Sequence, residues 1–358
     1  MKTRSFVLTA AVIFRLAASF AIAQRPAGLP ANPAVQNPSI QTSLASAPNA
    51  SAAPADPLPP ANAKFFTAAT PTVETVNSFL KQVWGFDPKR IYRVMAIQPT
   101  PAPGVAKVTV FVTAQGADAK VQAATFYVTP DGKHAISEGS GMVSFGAAPF
   151  AATRDLLKAH ADGATRGAAS KDFELVEFAD LQCPHCKEAQ SVMNQIVKDF
   201  PNAHVVFQLF PLVEIHPSAF KAAAYGVCVQ KQSNEAFFKF VDGVFDTQEA
   251  LTPATEDTLL KAAAMRAGLD GAAIAACAVT QSTKDAVNAD IKLAQDAGIE
   301  QTPLLSANGR LLPLTSMSYD ALKQLIQFQA TLDGVNSGAT AETLAPKPQQ
   351  PTLSTLPK

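Results

Sequence analysis

The chain has little cysteine, little histidine and no excess of either charge. Four cysteines in 358 residues are too few to staple a scaffold of this size, so the fold must rest on apolar cores. Lysine plus arginine equals aspartate plus glutamate at 29 each, which leaves no basic or acidic field for nucleic acid or a charged surface. Beyond the amino terminus no run approaches the roughly twenty apolar residues of a membrane-spanning helix, so the mature chain is expected to be soluble. No internal repeat is evident. What is present is a 47% hydrophobic composition, in a chain long enough for two ordinary domains.

The start reads as a secretory leader, residues 1–23. Met1-Lys2-Thr3-Arg4 is basic, Ser5 to Phe20 is apolar, and Ala21-Ile22-Ala23 presents small residues for cleavage after Ala23. Arg15 interrupts the apolar stretch, and an amphipathic soluble start or a retained anchor are the alternatives. Residues 24–64 are rich in Pro, Ala, Ser and Asn without hydrophobic period, the composition of a flexible tether. The tail, residues 337–358, has the same character.

Two folded regions lie between. In residues 65–162 Val73, Val76, Phe79, Leu80 and Val83 have helical spacing, ended by Gly85. Strand-like runs follow at Arg90 to Ile97, Lys107 to Thr113, Gln122 to Thr129 and Lys133 to Ser137, the last two joined by the turn Pro130-Asp131-Gly132. Phe150 to Ala159 reads as a second helix. The expectation is a small α+β domain carrying no chemistry, with His134 and His160 ordinary surface or edge residues. Residues 170–333 begin with a strand, Phe173 to Phe178. A helix striped by Ala189, Val192, Met193, Ile196, Val197 and Phe200 comes next, then the strand Val205 to Leu212. Five helices are expected between Pro217 and Ala297, with Asp270 and Ser282 as caps and Gly268 and Gly298 as ends. A hairpin about Asn308-Gly309 and a helix from Ser318 complete the region. His204 reads as a strand start and His216 as a packing or capping residue.

Cys183-Pro184-His185-Cys186 stands between the first strand and its helix. This spacing puts both sulfurs at the helix's first turn, where unpaired N–H groups and the dipole favour a negative sulfur at Cys183. Cys183 is expected to be the nucleophile and Cys186 the resolving thiol, reacting through a mixed disulfide. Pro184 suits the opening turn. His185, as an imidazole beside Cys183, is expected to stabilise the thiolate further. Two other readings compete. Zinc needs a second ligand pair, and Cys228 and Cys277 stand alone in expected helices; a static disulfide would not turn over.

Glu177-Phe-Ala-Asp-Leu-Gln-Cys-Pro-His-Cys186, Phe210-Pro-Leu, Ile215-His-Pro-Ser-Ala219 and Gln301-Thr-Pro303 together resemble the DsbA-like thiol–disulfide oxidoreductases, in the branch with a long helical insertion. The resemblance covers about Asp172 to Leu332. It implies an α/β fold: a thioredoxin-like domain with helical insertion, preceded by the small α+β domain. It implies that Glu177 is a buried acid shuttling the resolving thiol's proton; a strand-edge carboxylate is the alternative. Pro303 matches the family's cis-proline, which presents backbone to the substrate, and Thr302 a position that tunes redox character. Nucleophile pKa values run from ~7 in thioredoxin to ~3.5 in DsbA. That difference is worth about 4 to 5 kcal/mol of the roughly 7 kcal/mol between their potentials. Pro-His between the cysteines argues for an oxidant, whereas Thr302 is commoner in isomerase-like relatives.

Relatives carry a second cysteine pair near Cys228 and Cys277, so a structural disulfide is implied, with two buried free thiols as the alternative. The run Phe126 to Lys133 resembles the amino-terminal domains of periplasmic disulfide isomerases, which implies a homodimer through that domain. The function implied is thiol–disulfide exchange on reduced or misoxidised exported proteins, in the periplasm or cell envelope, with a membrane quinone-linked redox partner. Neither cofactor nor metal is implied. An isomerase or reductase stands second, and a substrate-holding binding module with little turnover is the reading from another class.

Overall fold

The computed structural model describes residues 56–116, 119–137 and 141–339; the expected leader, most of the tether and nearly all of the tail lie outside them. The described residues divide into two compact units, one made of residues 56–71 together with Lys89–Val143, the other of Thr72–Pro88 and residues 144–339.

The smaller unit is built on antiparallel pairing. Strands β1 (Arg90–Pro99), β2 (Ala106–Ala114), β3 (Gln122–Val128), β4 (His134–Ser137) and β5 (Gly141–Ser144) follow one another in the sheet in chain order. Val108 and Val110 alternate with half-buried neighbours along β2, the period of a sheet with one covered face. A bulge falls between Val94 and Ala96 of β1. The β3–β4 connection is held by Asp131, whose carboxylate accepts from Lys133 N at 2.9 Å. Arg93 ties the strand to the preceding segment through the Leu58 and Pro59 carbonyls, both at 2.7 Å, and the Asp56 carboxylate. The fifth strand was not expected.

The expected 65–162 boundary differs from this division. Helices α1 (Val73–Trp84) and α2 (Ala151–His160) fall with the larger unit. The physical reason is polar anchoring that periodicity does not register. Arg310 is buried and stacks over the Phe150 ring at 4.2 Å; it donates to Gln329 Oε1 at 2.9 Å and to the carbonyl of Gln82 in α1. Gln324 Nε2 donates to Phe86 O at 2.8 Å, just beyond α1.

The larger unit is organised by a second five-stranded sheet. It contains β6 (Ala164–Gly167), β7 (Glu174–Ala179), β8 (His204–Leu209), β9 (Leu304–Ala307) and β10 (Arg310–Pro313), in the order β10-β9-β7-β8-β6. Only β7 and β8 run parallel. Every residue of β7 is buried, as a central strand covered on both faces requires. Its two faces feed two cores. Phe173 and Leu175 pack with Met193, Ile196 and Leu322 under α3 (Pro184–Asp199) and α9 (Tyr319–Leu332); Val176 and Phe178 pack with Leu157, Leu293 and Ile299. Alternation then places Glu177 on the Leu175 face, toward α3.

Between β8 and β9 stand α4 (Ala219–Gln230), α5 (Asn234–Asp246), α6 (Glu256–Arg266), α7 (Gly271–Ala278) and α8 (Gln281–Asp296). They enclose a third core around Tyr225, Phe237 and Phe240. Asp270 caps α7 through the N–H groups of Ala272 and Ala273, whereas Thr280, not the expected Ser282, caps α8. The β9–β10 turn uses Asn308 at φ 45° and Gly309 at φ 91°. A Cβ on Gly309 would stand 2.3 Å from Phe150 O, so the turn is fitted to the start of α2. Among the described residues no helix is long and apolar enough to cross a membrane.

Candidate active site

Strand β7 ends at Ala179, and the chain reaches α3 within four residues. Cys183 is the extended N-cap of that helix (φ −79°, ψ 120°) and Pro184 is its first residue. Cys183 N donates to Asp180 O at 3.1 Å and Cys186 N to Cys183 O at 3.0 Å. Both cysteines are unpaired and buried, but their surroundings drive them apart. Hydrogen bonding from the Cys186 thiol is the largest influence on Cys183; the Thr302 side chain and the backbone N–H groups of Cys186 and His185 add to it, and burial opposes them. The result is a thiol lowered to about 5. Burial, followed by the neighbouring Cys183 sulfur, pushes Cys186 far above the ordinary thiol range. Asp180 N donates to Cys186 Sγ at 3.3 Å.

The peptide Thr302–Pro303 is cis, and Thr302 O lies 3.8 Å from Cys183 Sγ. The structure thus brings Cys183, Pro184, Cys186, Thr302 and Pro303 to one locus. The His185 ring is directed elsewhere. It is 66% exposed and pairs with Glu188 Oε2 at 3.1 Å, which raises its pKa; the Cys183 charge is the weakest influence on it. Its backbone N–H assists the thiolate directly, whereas its imidazole contributes only a weak charge coupling.

Glu177 is fully buried. Its Oε1 accepts from Gln190 Nε2 at 2.6 Å, and its Oε2 lies 3.7 Å from Arg166 Nη2. Burial raises the carboxyl, and Arg166 and Gln190 pull it back to about 7. Gln190 Nε2 also contacts Cys186 O at 3.2 Å, linking the acid to the resolving cysteine's own turn.

Sequence reasoning missed the residues that hold this loop. Asp180 accepts from Gln182 N at 2.7 Å, Leu212 N at 2.8 Å and His216 Nδ1 at 2.7 Å. Gln248, in a short 3-10 turn of the insertion, donates to the carbonyls of Leu181 and Cys183, both at 3.0 Å. Gln182 reaches back to Leu251 O at 3.0 Å and accepts from Ser218 N at 2.7 Å. Arg166 on β6 was equally missed; its guanidinium lies 4.9 Å above the Phe238 ring and donates to Asn194 Oδ1 at 2.8 Å. The only available signal was position, since Asp180, Gln182 and His216 all sit inside the motif runs. Beside Cys183 opens a cleft of about 740 Å³ lined by Gln182, Pro184, Ile215, His216, Gln248 and Leu251 among others. Cys228 and Cys277 form a disulfide between α4 and α7, with Cα atoms 6.0 Å apart. Among the described residues no cluster of three or more His, Cys, Asp or Glu is placed to hold a metal ion.

A dithiol at the mouth of a helix, beside a cis-proline loop on a central mixed sheet, defines a thioredoxin-like domain. Residues 159–328 match the family model described as Thioredoxin. Among solved structures, a thioredoxin-like oxidoreductase from Silicibacter pomeroyi is 21% identical, covering 49% of this chain and 95% of that one with TM-score 0.42. Oxidised BdbD from Bacillus subtilis is 22% identical over 47% of this chain and 93% of its own, TM-score 0.43. A curated relative, the Na(+)/H(+) antiporter NhaA 3 of Salinispora tropica, is 27% identical over 145 residues, 40% of this chain and 21% of that protein. The chain spans about a fifth or less of the length of the curated relatives it matches.

Proposed function

We propose that this chain is a protein dithiol–disulfide oxidoreductase acting on exported proteins. The observation that carries the reading is the opposed proton affinity of two sulfurs one helical turn apart. Cys183, lowered to about 5, is a thiolate at neutral pH, and Cys186, raised, is a thiol. The first therefore attacks or leaves, and the second stays protonated until it must resolve. Glu177, held at about 7, is suited to take up or release the proton Cys186 exchanges, with Gln190 between them.

The direction is oxidation. A stabilised Cys183 thiolate favours the reduced enzyme, so electrons flow from the substrate dithiol to the enzyme disulfide. Reoxidation then falls to a membrane quinone-linked partner. The leader-like start supports export to the periplasm or cell envelope, and the resemblance carried by Phe126 to Lys133 supports a homodimer through the small unit. An isomerase or reductase remains the second reading, favoured by Thr302, whose side chain stands against both sulfurs of the dithiol.

Three measurements test this. Cys183 alkylation in the reduced protein should have a pH midpoint near 5. Equilibration with glutathione should give a potential well above thioredoxin's ~−270 mV; a value at or below that figure removes the oxidant. Refolding of a reduced substrate protein no faster than with Cys183→Ser would favour a binding module.

A further inference from the structure

The exchange chemistry above leaves the Asp180–His216 pair without a role. The Asp180 side chain has no exposed surface, and its carboxylate already accepts two backbone N–H groups besides His216 Nδ1. An imidazole that gives its Nδ1 proton to a carboxylate keeps Nε2 as a lone-pair acceptor in its neutral form. The His216 side chain is 18% exposed. It lines the same cleft as Gln182 and Pro184, the residues on either side of Cys183. Among the described residues no hydrogen bond is made to its Nε2.

We infer that His216 is a catalytic base for the incoming substrate thiol and that Asp180 is the positioning residue fixing its tautomer. The inference rests on the exchange reaction proposed above and deepens it. His216 Nε2 takes the substrate S–H proton. The substrate thiolate attacks Cys183 Sγ of the oxidised pair, the Cys183–Cys186 bond breaks, and Cys186 leaves, protonated by Glu177; His216 releases its proton to solvent, from which Glu177 is reprotonated. A second substrate thiol attacks the mixed disulfide and releases Cys183 as thiolate, its proton passing to solvent. The substrate dithiol loses two electrons and the enzyme disulfide gains them.

A merely structural role is separable from this one. His216 also ties the segment after β8 to the cysteine loop, and that tie uses Nδ1 alone. The amide nitrogen of an asparagine occupies the Nδ1 place, so His216→Asn keeps the bond to Asp180 and deletes Nε2. The other charged groups at the cleft are Lys187 and Glu188 of α3, the latter paired with His185, and Glu249 of the 3-10 turn. They are unchanged in the variant and cancel in its ratio to wild type. The magnitude is bounded by the substrate. A thiol of pKa ~8.5 is about 3% ionised at pH 7, so losing its base costs at most about 30-fold there and under about twofold at pH 9.

The experiment is oxidation of a peptide dithiol by the oxidised full chain between pH 6 and 9. Wild type, His216→Asn and Cys183→Ser are compared, with Cys183 alkylation profiles and melting temperatures alongside. The expected result is a His216→Asn rate about 10- to 30-fold low at pH 7 and nearly recovered at pH 9, with alkylation and melting unchanged. Equal rates at pH 7 overturn the inference alone. So does a deficit constant with pH, or one accompanied by a shifted alkylation profile. Wild type no faster than Cys183→Ser removes the exchange reaction and this inference with it.

Discussion

At Glu177 three effects meet on one carboxyl. Burial raises it, and the Arg166 guanidinium at 3.7 Å and the Gln190 amide at 2.6 Å lower it, leaving it at about 7. Arg166→Met deletes the larger of the two lowering effects, so the Glu177 titration midpoint should move above 7, read by carbon NMR of the carboxyl. An unmoved midpoint would show that the ion pair has no influence. The sign of the linked stability follows. Because folding raises this pKa, ionised Glu177 disfavours the folded state, progressively from about pH 4.5 to 7 and constantly above. In the variant the loss continues to higher pH. The acid itself was legible, lying six residues before Cys183 in a recognisable run; its counter-charge was not. Arg166 comes from a short strand whose pairing with β8 no local pattern announces.

Elements of the insertion grip the cysteine loop from a distance in sequence. Gln248 serves the Leu181 and Cys183 carbonyls across 67 and 65 residues. Gln248→Leu keeps the volume and strands buried acceptors, which should lower stability by about 1–3 kcal/mol in urea unfolding; a loss near zero would mean that other donors take over. The Cys228–Cys277 bridge closes a separation of 49 residues. Replacing both by Ala should cost up to about 4 kcal/mol on the chain-entropy account, measured the same way against the non-reduced wild type. An unchanged midpoint would place the bridge's constraint elsewhere than in the unfolded chain. Elements were legible where a period or a cap announced them. The helices between α4 and α8 matched to within a few residues, and Asp270 and Ser318 cap as their residue types suggest. The His185 ring couples to Cys183 more weakly than its place in the motif suggests, because proximity in sequence does not fix a rotamer and Glu188 one turn on offers the stronger partner.

For the molecule as a whole, the two redox states should differ in stability as a function of pH. Cys183 has a folded pKa of about 5, below the unfolded ~8.5. Its stabilisation of the reduced form is full above the unfolded value and lost as pH falls through 5. At pH 7 it is about 2 kcal/mol, taking ~1.36 kcal/mol per unit and discounting for screening at the mouth of the site. Above about pH 8.5 the raised Cys186 acts oppositely, since it ionises only on unfolding. The reduced form should therefore melt higher than the oxidised one by a margin that grows from pH 5 and peaks near pH 8.5. A margin independent of pH would contradict the lowered thiol.

The anchoring of Arg310 bears on how this polypeptide comes apart. The path alternates between its units, crossing after Pro71, after Pro88 and after Val143, so no single protease nick liberates either one intact. A piece trimmed to residues 159–328 would leave behind the Gln82 carbonyl and the Phe150 ring that receive this guanidinium. Anyone excising the dithiol-bearing half needs the stretch beginning near Thr72, or inherits a cation stripped of its cradle.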